Sequence, residues 1–129
     1  MVSYHILLGL TKQRIAILAS GSGSNAEQII RHFIDSPLAE VAWVGSNGAA
    51  NSAGIFERTR TMGMETTAFS RRDLTEGRVT EMLVDAEIDW VVLAGFLMHI
   101  PESMIREFPL RMVNIHPSLL PDFGGKGMY

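Results

Sequence analysis

The run RIAILAS, Arg14 to Ser20, constrains this chain more than any other stretch. Ile15 to Ala19 are all apolar, without polar alternation, so neither face of a strand built from them can meet water. Such a strand belongs inside a sheet that is covered on both sides. SGSGSN follows at once, and then a helical period with Ile29, Ile30 and Phe33 on one face. Strand, tight loop and helix in that order make the first half of a βαβ unit.

The alternation continues. AEVAWVGSN (Ala39 to Asn47) reads as a second strand, and Ser52 to Met62 as a helix closed by Gly63. METTAF (Met64 to Phe69) reads as a third strand. Asp73 then precedes a helix carrying Val79, Met82, Leu83 and Ala86. DWVVLAGF (Asp89 to Phe96) is the most hydrophobic strand. Pro101 opens a helix reaching about Phe108, and RMVNI (Arg111 to Ile115) is a fifth strand. The expected class is α/β, a Rossmann-like open, mainly parallel twisted sheet with helices on both faces. In such sheets ligands bind beyond the carboxyl ends of the strands.

Composition removes several functions. The 129 residues suit one domain with a buried core. A net charge of -3 supplies no basic field for nucleic acid. No cysteine occurs, which excludes disulfides, thiolate metal sites and a cysteine nucleophile, and suits a cytoplasmic location. The apolar run Ile6 to Leu10 has no basic residue before it, unlike a signal peptide, and charges interrupt every run that could span a membrane. Residues 1–13 read as an N-terminal extension. His5, His32, His99 and His116 share no metal-ligand spacing, so no metal is expected.

Two loops carry chemistry. In SGSGSN, glycines let backbone approach a ligand, and free N–H groups at the helix start favour an anion. Ser24 or Asn25 can cap the helix and donate to a phosphate oxygen. Gly21, Gly23 and Ala26 also match a dinucleotide fingerprint, but the second strand ends in Ser46 and Asn47 and not in the acid that grips a ribose. A monophosphate fits better than a dinucleotide, and a tight turn without a ligand stands as the bland alternative. In NIHPSLLP, Asn114 and His116 project to one side if the backbone is extended. They read either as an oxyanion donor with a proton carrier, or as two groups that satisfy the end of a strand.

SGSGSN, VVLAGF and NIHPSLLP, in that order and with the Ser46–Asn47 pair, resemble glycinamide ribonucleotide formyltransferases of the folate-dependent formyltransferase family. The likeness runs from about Arg14 to the end. Methionyl-tRNA formyltransferases share the last motif but usually lack GSGSN, and formyltetrahydrofolate hydrolases typically carry His where this chain has Pro117. The resemblance implies formyl transfer from 10-formyltetrahydrofolate, as cosubstrate, to the amine of glycinamide ribonucleotide, without metal. Gly23, Ser24 and Asn25 would hold the phosphate; Leu97, Met98, His99, Ile100 and Asn114 would contact the folate; Asn114 and His116 would be catalytic. Leu97 to His99 replace the more usual Met followed by a basic residue. A homodimer is compatible with it. The family's catalytic aspartate has no counterpart in residues 14–129, so an N-terminal portion is expected. The alternatives are a binding module without catalysis, a related formyl-folate enzyme and an NAD-type domain.

Overall fold

The structure, a computed structural model, describes residues 11–49 and 54–115. The elements are β1 (Gln13–Ala19), α1 (Ser24–Phe33), β2 (Ala39–Ser46), α2 (Gly54–Thr61), β3 (Thr67–Ala68), α3 (Arg71–Thr75), α4 (Arg78–Asp85), β4 (Trp90–Ala94), α5 (Glu102–Glu107) and β5 (Met112–Ile115). The strands form one sheet in the order β3-β2-β1-β4-β5, with every pair parallel. β1 is central, as its unbroken apolar run requires.

Alternation along β1 divides the core. Ala16 and Leu18 face a cluster with Leu74, Leu83 and Met104 from α3, α4 and α5. Ile15, Ile17 and Ala19 face Ala26, Ile30 and Ile55 from α1 and α2. Helices therefore cover both faces, and the expected architecture holds.

The register sets the site. Leu18 pairs with Gly45 on one side and Leu93 on the other, and Leu93 pairs in turn with Asn114. The loop after β1 and the polar end of β5 thus lie on one carboxyl edge, with β4 between them. At about 4.8 Å per strand, β1 and β5 stand roughly 10 Å apart.

Two local features depart from the expectations. The expected helix carrying Val79, Met82 and Leu83 is α4, and a short helix that the sequence reading did not include, α3, comes before it, with Gly77 at a left-handed φ of 87° between them. Asp73 precedes α4 as expected, from within the short α3: Ser70 Oγ accepts from the Asp73 N–H at 3.0 Å, and the Asp73 carboxylate accepts from the Ser70 N–H at 2.9 Å. This reciprocal pair is a capping box. The third strand is only Thr67–Ala68, paired with Gly45 and Ser46. Its neighbours Met64 and Glu65 lie outside the ladder, as is common at a sheet edge. At the chain start, β1 begins at Gln13, whose N–H donates to the Leu38 carbonyl at 2.9 Å.

The capping box makes a pH prediction. The Ser70 N–H, then the Ser70 hydroxyl, and more weakly Arg78 and Arg72, hold the Asp73 carboxyl below its usual range. A lowered folded-state pKa adds stability above the unfolded-state value, lost as pH falls through the folded-state value. Asp73→Asn is therefore expected to flatten the decline of the melting temperature below about pH 4. An unchanged acid limb in thermal melts would contradict that assignment.

Candidate functional site

The glycine loop enters α1 without help from a side chain. Gly23, not Ser24 or Asn25, occupies the N-cap position, at φ 79° and ψ 16°, and no side-chain cap hydrogen bond forms. The first helical bond runs from the Glu27 N–H to the Gly23 carbonyl at 2.8 Å. Helix geometry leaves the N–H groups ahead of it without an intrahelical acceptor, at the positive end of the dipole. The expected side-chain cap is thus corrected, and its absence leaves those donors for an anion. Gly23 is buried, Ser24 exposed and Asn25 half-buried.

Gly23 answers to two constraints. Its φ of 79° strains any residue with a side chain. A Cβ there would also lie 2.6 Å from Ile55 Cβ and 2.7 Å from Ile55 Cα, because α2 packs directly on the loop.

Gly21 to Asn25 frame a cavity of about 260 Å³ together with Ala94 and Gly95 at the end of β4. The Leu97 N–H donates to Ser20 Oγ at 2.9 Å, tying the loop after β4 to the loop after β1. The Gly95 N–H donates to the Ile115 carbonyl at 3.2 Å, tying the ends of β4 and β5. A larger cavity, about 580 Å³, lies along the first half of β2 beside Phe33 and Met64 and includes none of the loop residues. The smaller one is the cavity bordered by the uncapped start of α1.

Asn114 sits at the carboxyl end of β5 with its residue exposed, two positions from Met112, which packs on the α3–α5 side of the sheet. The structure brings Asn114 and the glycine loop to one edge; His116 lies outside the described residues. Of the proposed folate contacts, Leu97 is 80% exposed and His99 is exposed, whereas Met98 and Ile100 pack against the core. The latter pair anchors the loop that presents Leu97 and His99.

Sequence reasoning missed two features. Asn47 Oδ1, just past β2 on the same edge, is buried without a hydrogen-bond partner among the described residues. Arg58 of α2 reaches back to the glycine loop, with its Nε donating to the Ser22 carbonyl at 2.9 Å. No local pattern signals a contact made across 36 positions. Among the described residues no group of three or more His, Cys, Asp or Glu is placed to hold a metal ion, and no helix is long and apolar enough to cross a membrane.

Fold and site together define a Rossmann-like α/β domain whose first strand–loop–helix turn has no side-chain cap and borders a cavity. The chain belongs to the formyl transferase family, whose model matches residues 13–129. It is 35% identical over 125 residues to the chloroplastic phosphoribosylglycinamide formyltransferase of Arabidopsis thaliana, which covers 92% of this chain and 42% of that protein. It is 34% identical over 131 residues to the trifunctional purine biosynthetic protein adenosine-3 of Bos taurus, covering 97% of this chain and 13% of that one. A solved phosphoribosylglycinamide formyltransferase from Brucella melitensis superimposes with a TM-score of 0.78 at 32% identity, covering 92% of this chain and 64% of its own. Glycinamide ribonucleotide transformylase 1 from Geobacillus kaustophilus gives 0.76 at 32% identity, covering 91% and 64%. The chain spans less than two thirds of the length of each of these proteins.

Proposed function

We propose that this protein transfers a formyl group from 10-formyltetrahydrofolate to the amine of glycinamide ribonucleotide, a step of purine biosynthesis. The observation that carries the reading is the uncapped start of α1, framing a cavity with the end of β4 on the edge that also bears Asn114. The named relatives, phosphoribosylglycinamide formyltransferases, support it.

In this reading the backbone N–H groups of Gly23, Ser24 and Asn25, with the Ser24 hydroxyl and Asn25 amide, hold the single phosphate of the acceptor. An exposed Leu97 on a loop anchored through Met98 and Ile100 fits the apolar ring of a folate, with His99 beside it. The folate supplies the activated formyl carbon. The acceptor amine attacks that carbon directly, so the new N–C bond forms as a tetrahedral centre and the bond to the folate nitrogen then breaks. Asn114 donates its amide N–H to the oxyanion. His116 relays the proton lost by the amine to the departing nitrogen. Holding both reactants over one edge supplies much of the rate through orientation. No residue here needs a metal for this chemistry. A cytoplasmic location belongs to the same reading, although the Arabidopsis relative is chloroplastic.

Calorimetry on the complete protein tests the substrate assignment. Saturable binding of glycinamide ribonucleotide, with no binding of NAD, is expected. The reverse pattern would replace this function by a dinucleotide-binding one, as the glycine spacing alone allows.

A further inference from the structure

α2 braces the glycine loop from outside the cavity. At Gly54 a Cβ would come within 2.9 Å of the Ser22 carbonyl oxygen, so glycine there lets α2 start against the loop. One helical turn on, the Arg58 guanidinium forks. Its Nε donates to the Ser22 carbonyl at 2.9 Å, and its Nη1 donates to the two Glu27 carboxylate oxygens at 3.2 and 3.4 Å. Glu27 lies in the first turn of α1, and its side chain is 19% exposed. Arg31 Nε stands 3.7 Å from the same carboxylate. A single cation therefore joins the loop to the first turn of the helix it feeds, and Arg58 does not line the cavity.

We propose that Arg58 is a positioning residue that sets the loop's affinity for a phosphate group without touching it. The proposal rests on the phosphate reading of the loop given above. Two physical effects support it. A trans peptide points its N–H opposite to its C=O, so fixing the Ser22 carbonyl fixes the direction of the Gly23 N–H. Glu27 also places a carboxylate close to the donors that would receive an anion. Arg58, with Arg31, compensates that charge, which would otherwise repel the ligand. The fork is bidentate and planar, a geometry that lysine lacks.

Titration of the complete protein with inorganic phosphate, followed through the Ser24 and Asn25 amide NMR signals, tests this. Arg58→Ala is expected to weaken phosphate binding about tenfold or more, as for loss of a charged hydrogen bond. Arg58→Lys should fall between, because it keeps the charge and loses the fork. Adding Glu27→Gln to Arg58→Ala should restore part of the affinity, a recovery that a merely structural prop would not show. Affinity within twofold of wild type in Arg58→Ala, or no recovery in the double variant, would overturn the proposal. If Arg58→Ala does not fold, Arg58→Lys decides by the same twofold criterion. A wild-type protein that binds phosphate but not glycinamide ribonucleotide would sink the substrate assignment and leave Arg58 to be judged on the phosphate series. One that binds neither would overturn both.

Discussion

Replacing His116 by alanine is expected to lower kcat for formyl transfer by about 10²–10⁴-fold, the usual share of a positioned proton carrier. Asn114→Ala should cost about 10²–10³-fold, the range for removing one oxyanion donor. The two act on the same tetrahedral centre, so the double variant should be little worse than the poorer single one. KM for glycinamide ribonucleotide should stay near its wild-type value in all three, because the glycine loop and not the end of β5 would hold the phosphate. That split between kcat and KM separates a catalytic role from a general disturbance of the edge. The register supports it: Asn114 is the partner of Leu93, one position before Ala94, which with Gly95 frames the cavity. Normal turnover in His116→Ala would remove the assigned role. A large rise in KM with unchanged kcat in Asn114→Ala would make that residue a binding group instead.

The second large effect is structural and reaches function through the fold. Gly23→Ala must place a Cβ 2.7 Å from the Ile55 backbone in a left-handed conformation. Strained φ and overpacking each cost about 1–3 kcal/mol, so a loss of stability of about 2–6 kcal/mol is expected in urea denaturation. Ile55 is fully buried, so it has no room to retreat. The loop must shift instead, and glycinamide ribonucleotide binding by calorimetry should be lost. Gly21→Ala is the matched control for stability, since a Cβ there meets nothing within 4 Å. A loss below about 1 kcal/mol in Gly23→Ala, with binding retained, would mean that α2 yields to the loop.

The sheet was legible in the sequence because burial on both faces demands apolar runs, and RIAILAS and WVVLAGF show them without interruption. Edges and breaks were less legible. Met64 to Phe69 has strand composition, yet only Thr67 and Ala68 pair, since nothing in a short edge segment specifies how far its ladder extends. Ser70 to Asp73 carries a readable capping signature, serine followed three residues later by an acid, but the five-residue helix it opens is too short to show an apolar period of its own. At the glycine loop the expectation placed the cap on a polar side chain. The structure uses the left-handed freedom of Gly23, dictated by the close approach of α2 and therefore invisible locally. Arg58 shows the same limit, because its partners Ser22 and Glu27 are brought to it only by tertiary packing. Asn114 was singled out by its neighbours in sequence, and the register explains its place by pairing it across β4 with the level of the loop. His116 lies outside the described residues, so its partnership with Asn114 stands on their spacing and on the family resemblance.

The most direct test mixes the complete protein with glycinamide ribonucleotide and a donor labelled in its formyl carbon, and follows the label by mass spectrometry. Label appearing on the glycinamide amine, with loss of the product in His116→Ala, is the predicted result. Label released only as formate, with the ribonucleotide unchanged, would contradict the account and make water the acceptor at this edge.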